Sequence, residues 1–449
     1  MALSRESIIY GIGAGIVLGT AYVLSPLSVW FGITLVALFA WALRGLSGRE
    51  RRWVLGMLGV AVALRVLAVA VLFIATDHSE IVSFFWDGDG VALKRRALWI
   101  RDIWLGVPVA PFLFNVAFDR LYGWTTYLYV LAYLQYLLGP APYAIHLLNI
   151  VLCMAAAVAL FRLVRSSYGT QPALLGFALL LFMPTPFLWS VSALKESLYV
   201  FLAVVALVSA VTAWRGQTIL SRSIATLLLA GSVATIGGVR TGGQAIVVAG
   251  LAAGFAATFV LRRAWLVVAV AAILAVVGVR LAHHPFVQTR VMAQLNSSAV
   301  QHIGHVRTEG HSYKLLDQRF YSQTDFIPMT LDEGARFAAR AVVAFIVSPV
   351  PSQIQSGPEM VFLGQVVWYV LVVLVVLVIP GVLAGLKRDR LVTCLLAAFA
   401  MFGGAAIALN SGNIGTMVRH RDTIVPFVLW LSALGAVDSL SSVMTRTAR

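Results

Sequence analysis

Long stretches of this chain carry almost no polar residue, and short clusters of arginine, glycine and acidic side chains separate them. Apolar runs close to the roughly twenty residues needed to cross a hydrocarbon core cover residues 8–25, 27–43, 53–75, 142–161, 172–191, 197–214, 223–239, 244–261, 264–281, 360–386, 391–409 and 423–441. The pattern predicts about twelve transmembrane helices. Two shorter apolar stretches, 123–139 and 337–350, are left over. The first is rich in aromatic residues, which suits a helix lying at the interface or re-entering the bilayer.

Basic residues orient the array. With the N-terminus in the cytoplasm and 123–139 not crossing, the inside connections hold Arg44, Arg49, Arg51 and Arg52; Arg162 and Arg165; Arg215 and Arg222; Arg262 and Arg263; Lys387, Arg388 and Arg390; Arg446 and Arg449. Every inside connection is then basic, as the positive-inside rule requires. Fourteen of the 18 acidic residues and all eight histidines fall in or beside outer segments. Two outer segments, 76–122 and 281–336, are long, and long loops carry function more often than short ones. The expected fold is an all-α integral membrane protein. It forms a single polytopic domain over residues 1–449, with both termini cytoplasmic and amphipathic juxtamembrane helices in the outer loops. The first run ends at Ser25–Pro26 without a small-x-small cleavage site, so it is read as a retained helix.

Composition agrees: the 449 residues are 60% hydrophobic and 11% charged. No soluble interior absorbs that much apolar sequence. The net charge is +15, but about half of the Lys and Arg sit in short connections, where they orient helices, so a nucleic-acid partner is not expected. Cys153 and Cys394 both sit in apolar runs, so neither a disulfide framework nor a metal finger is expected. The histidines of 281–311 lack metal spacing. With no GxxxxGK loop, an ATP-driven pump is unsupported.

Four polar clusters could carry chemistry. FFWDGDGVALKRRALWIRD, residues 84–102, sets Asp87 and Asp89 among glycines. Asp89 there could act as a general base, share a divalent cation with a lipid phosphate, or simply cap a helix. In SALKES, Lys195 could bind phosphate while Glu196 holds it in place, unless both charges only mark the interface. GGVRTGG flanks Arg240 with glycine pairs. Exposed N–H groups beside a bidentate fork suit an anion, although a tight turn is the plainer reading. In NSGNIGTMVRHRD, Arg419, His420 and Arg421 place basic side chains outside, against the topological bias. A pyrophosphate or lipid phosphate fits them, as does ordinary headgroup contact. Arg65 lies in mid-helix and must pair or face a cavity.

The order of these parts resembles the GT-C superfamily of polyprenyl-phosphate-dependent glycosyltransferases. The likeness is nearest to the bacterial branch related to protein mannosyltransferases and the lipid A aminoarabinose transferase. It covers about residues 76–260. Asp89, Leu93 and Ala97 match the family's first-loop spacing, with leucine in place of the usual tyrosine. YGWTTYLYVLAYLQYLLG, then HLLN, then MPTPFLWSVSALKES follow in the family's order. The resemblance implies a multi-pass transferase of the bacterial plasma (inner) membrane that takes a sugar from a polyprenyl-phosphate donor. The acceptor would be a glycan, lipid or protein on the outer face. Asp89 would be the base, with Asp87 competing for that place. Lys195, Glu196, Arg240, Arg419, His420 and Arg421 would receive the donor phosphate, and Asp89 would be the ligand of any divalent cation (Mg or Mn). The alternatives are an O-antigen ligase or polysaccharide polymerase and, in a different class, a lipid or oligosaccharide transporter.

Overall fold

The computed structural model describes residues 10–17, 19, 25–75, 89–118, 126–139, 143–307, 312–322, 326–348 and 363–447. Among them every regular element is a helix, and the only extended pairing is one isolated bridge between Ser312 and Asn413. In chain order these are α1 (Pro26–Leu43), α2 (Gly48–Ala75), α3 (Asp89–Trp104), α4 (Pro111–Ala117), α5 (Thr126–Leu138), α6 (Ala144–Tyr168), α7 (Thr170–Phe182), α8 (Pro184–Ser190), α9 (Glu196–Arg215) and α10 (Ile219–Val239). There follow α11 (Gly243–Val260), α12 (Ala264–Ala282), α13 (Pro285–Arg307), α14 (Arg319–Ser322), α15 (Leu331–Val347), α16 (Leu363–Arg388), α17 (Arg390–Asn410), α18 (Ile414–Arg421) and α19 (Val425–Thr447).

Eight of the described helices are long and apolar enough to cross a membrane: α1, α2, α6, α9, α10, α11, α17 and α19. The chain is an all-helical, multi-pass membrane protein. The run at 172–191 becomes two helices, α7 and α8, bent by 59° and able to count as a ninth span. Pro184 causes the break. It has no N–H to donate and it pushes Met183 out of the helical region, to ψ 126°. The stretch expected not to cross, 123–139, forms the 13-residue α5, about 20 Å long and shorter than the hydrocarbon core. In α12 the described apolar part, Ala264–Val277, is likewise short. The runs expected at 8–25 and 360–386 lie partly outside the described residues.

The chain forms two compact units, interleaved in sequence: Met1–Arg162, Phe187–Val204 and Ala234–Thr241 in the first, and Leu163–Pro186, Val205–Val233 and Gly242–Arg449 in the second. In the first unit, α2 buries Val54, Leu58, Ala61, Val62, Arg65 and Val69, a stripe at helical spacing. Helix α3 buries Leu93, Ala97 and Ile100, and its Trp104 meets Tyr129, Tyr133 and Tyr136 of α5. Arg162 donates to the carbonyls of Trp41 and Arg44 at 2.8 and 2.9 Å, satisfying orphan acceptors at the end of α1.

Close backbone approach organises the second unit. Between α16 and α19, a methyl group on Gly435 would strike the Leu377 carbonyl, and one on Gly381 would strike the Leu431 carbonyl. Gly250 and Gly254 of α11 admit Phe399 and Leu395 of α17 in the same way. Such small-residue seams are how apolar helices pack when lipid offers no hydrophobic drive. Gly435→Ala is expected to cost about 2 kcal/mol through overpacking, while Gly231→Ala, whose site is open, is neutral. Thermal unfolding of both variants in one detergent checks this.

One end of the second unit is tied by polar contacts. Arg215 grips both oxygens of Asp389 at 2.6 and 2.9 Å, Arg388 reaches the Tyr168 carbonyl and Asp438, and Tyr168 bonds Thr393 at 2.8 Å. Among the connections expected on one membrane face, these basic ends do share an end of the unit. At the other end of α17, helices α13 and α15 and the segment 312–322 pack over residues 407–424 around Phe337, Ala341, Ile407, Ile414 and Met417. The leftover run 337–350 thus falls largely within the amphipathic α15, whose Thr330 and Glu333 form a reciprocal N-terminal cap.

Candidate functional site

Three buried polar side chains of the first unit converge on one turn. Arg65, fully buried in α2, donates from Nε to Ser190 Oγ at 2.7 Å and from Nη1 to the Ala61 carbonyl, with its guanidinium 4.7 Å from the centre of the Phe187 ring. The lone mid-helix arginine therefore pairs across the bundle. One turn apart on α6, His146 and Asn149 face the same side. His146 Nδ1 lies 2.6 Å from the Val191 carbonyl, so it carries the proton. Asn149 Nδ2 donates to the carbonyls of Ser192 and Leu194, both at 2.8 Å, and the Tyr127 hydroxyl donates to Asn149 Oδ1 at 3.3 Å. The HLLN and SALKES segments are thus packed on each other, and residues 190–194 are fixed from three sides.

That turn launches α9, whose first residue is Glu196. Its side chain is buried, while Lys195 is half-buried. The Tyr199 N–H closes on the Lys195 carbonyl at 3.0 Å, and the Arg240 guanidinium lies 5.6 Å from the Tyr199 ring centre. Lys195, Glu196 and Arg240 therefore gather about the first turn of α9. The glycines around Arg240 have local reasons of their own. A methyl on Gly238 would collide with Thr126 Oγ1, and Gly242 takes φ +75° as it starts α11.

Asp89 is the first residue of α3, and Leu93 and Ala97, one and two turns on, lie on the helix's buried face. Asp87 and the side chain of Asp89 lie outside the described residues. In the same helix, Lys94 is 5% exposed, and burial lowers its ammonium to about 8. Of the KRR run only Arg95 is exposed. Arg96 turns inward to the Ala117 carbonyl at the end of α4. Among the described residues no group of three His, Cys, Asp or Glu could hold a metal ion. The expected ligand of a divalent cation, Asp89, is not among the side chains so described.

The basic triplet belongs to the second unit and is not uniform. Arg421 is 2% exposed. Its Nη1 and Nη2 donate to the carbonyls of Phe345 and Ser348, both at 3.0 Å, closing the end of α15. Arg419 and His420 are half-buried on the last turn of α18. Next to the segment that leads into α18, His302 is fully buried and bonded on both nitrogens. Nδ1 meets the Ser411 carbonyl at 2.7 Å, and Nε2 meets Tyr321 Oη at 2.9 Å and the Leu315 N–H at 3.3 Å. His305 Nδ1 reaches the Asn410 carbonyl at 2.7 Å.

Residues that hold the site were partly visible beforehand. His146 and Asn149 are a polar pair three apart inside an apolar run, a signal of an inward face. Lys94 and His302 gave no such signal, because each sits in a polar stretch that hides which face is buried. No protein-family model, curated protein or solved structure matches the chain.

Proposed function

We propose that the chain is a GT-C type glycosyltransferase of the bacterial plasma membrane. It would move a sugar from a polyprenyl-phosphate donor to an acceptor on the outer face, with both of its termini cytoplasmic. The observation that carries the reading is the fixed turn at 190–194. It presents Lys195 and Glu196 beside Arg240 at the mouth of a membrane helix, where a lipid-linked phosphate would arrive. Cations held in place before the reaction stabilise a leaving phosphate without reorganising, which is often the largest catalytic contribution.

In this reading Asp89 takes the proton of the acceptor hydroxyl as its oxygen attacks the anomeric carbon. The bond from that carbon to the phosphate oxygen breaks, and the electron pair leaves on the polyprenyl phosphate. Lys195 and Arg240 neutralise that phosphate, and Glu196 fixes the lysine. With the terminal nitrogens of Arg421 engaged by carbonyls, Arg419 and His420 carry the phosphate-binding expectation of the second unit.

Arg240→Lys tests the assignment. A guanidinium grips two phosphate oxygens, and an ammonium does not. Losing one charge-assisted bond costs about 1.5–3 kcal/mol, so undecaprenyl phosphate should bind the purified variant roughly ten- to a hundredfold more weakly. Equal affinity and equal turnover would make Arg240 an interfacial anchor.

A further inference from the structure

The segment 312–322 and the start of α18 are held together through one histidine. His302 donates from Nδ1 to the Ser411 carbonyl, which also accepts from Tyr313 Oη at 2.9 Å. Its other nitrogen must accept, because a main-chain N–H, that of Leu315, points at it. Tyr321 Oη accepts the N–H groups of Leu315 and Leu316 at 3.0 and 3.1 Å, so its own proton is directed to His302 Nε2. The ring is thereby fixed as one neutral tautomer. The segment is further joined by Tyr313 N–H to the Gly412 carbonyl and by the Ser312–Asn413 bridge, and Asn413 caps α18.

We propose that His302 is an acid-sensitive latch, whose neutral ring closes the segment 312–322 onto Ser411–Asn413 and whose protonation releases it. A proton on Nε2 would face the Leu315 N–H and a hydroxyl whose acceptor sites are already taken by two N–H groups. The closed arrangement cannot accommodate it. Surrounding charge does not help the proton. His305 on α13 adds a further basic ring, Lys314 lies over the Tyr321 ring, Arg340 of α15 acts on Tyr321, and Arg421 of α18 acts on Tyr313. Arg319 and Arg336 surround Asp317, while Arg419 and His420 crown α18. The carboxylate that acts on Tyr321, Asp317, is engaged by Arg340 at 2.9 Å, and that bond holds it below the usual carboxylate range. The inference stands on this geometry and not on the transferase reading.

Burial lowers the His302 imidazole from 6.5 to about 4. A group depressed in the closed state contributes its stabilisation fully above its free value and loses it as pH falls toward the closed value. The latch therefore weakens between pH 6.5 and about 4, by several hundredfold in its closed-to-open ratio at about tenfold per unit.

Paired spin labels at Gln301→Cys and Ser322→Cys, in full-length protein with Cys153→Ala and Cys394→Ala, read the distance between α13 and the segment in lipid nanodiscs. The expected result is one narrow distance at pH 7.5 and a second, broad population that grows reversibly through that window. His302→Gln should show one pH-independent distribution across it, whichever state it adopts. Tyr321→Phe should move the transition to higher pH, and Asp317→Asn should leave it in place. A wild-type distance unchanged down to pH 4, a transition that survives His302→Gln, one unmoved by Tyr321→Phe, or one abolished by Asp317→Asn would overturn the proposal.

Discussion

Asn149→Leu is expected to destabilise the protein by about 3 kcal/mol, even though leucine nearly matches asparagine in size. Asn149 is fully buried and its amide serves two main-chain carbonyls at once, those of Ser192 and Leu194. Leucine fills the volume but leaves both acceptors and the Tyr127 hydroxyl in an apolar interior. Each abandoned buried group costs about 1–3 kcal/mol, reduced somewhat because the unfolded chain in a bilayer also finds partners. Asn149→Asp should be worse at neutral pH, since a carboxylate has no donor to offer two carbonyls, and should recover in part on acidification. Thermal unfolding in nanodiscs at two pH values separates the variants. If both unfolded like wild type, the turn would be held by packing alone.

The contrast between Asn149 and its surroundings shows what a linear reading reaches. Helices such as α2, α9 and α17 were legible because their apolar runs match the thickness of a bilayer, whereas the run 172–191, expected as one crossing, is broken at Pro184. The glycine spacing of Gly250 with Gly254, and of Gly381 with Gly385, is visible in the sequence as well, although the partner helix is not. Contacts between distant positions stay hidden. Ser190 lies 125 residues from Arg65 and Ser411 lies 109 from His302, and no periodicity links positions so far apart. Arg419 and Arg421 read alike in the sequence. Two residues along a helix turn a side chain by about 200°, so Arg421 faces inward to the end of α15 while Arg419 stays half-buried. Lys94 and Arg96 of α3 are also two residues apart, yet both are buried because α4 and α5 both pack against that helix, while Arg95 stays on the surface. Sequence supplied the charges, and helix phase decided which of them could meet a ligand.

Asp89→Asn should abolish sugar transfer while the protein still inserts and unfolds normally. The amide keeps the size of the carboxylate and can still cap α3, so a purely structural role at this first helical position would survive the change. Transfer would not, because an amide cannot take the acceptor proton. Removing a general base of this kind costs about a hundred- to ten-thousandfold in turnover. Asp87→Asn should be milder, since the family's first-loop spacing is matched by Asp89 with Leu93 and Ala97 and not by Asp87. The measurement is turnover of a polyprenyl-phosphate sugar by purified protein, with donor binding recorded beside it. Loss of turnover with donor affinity retained is the outcome the mechanism requires, because Lys195 and Arg240 are untouched. If turnover stays near wild type, Asp89 caps a helix and the base lies elsewhere. Should donor affinity fall as steeply as turnover, Asp89 would act at the phosphate, as a ligand of a shared cation does, and not at the acceptor hydroxyl.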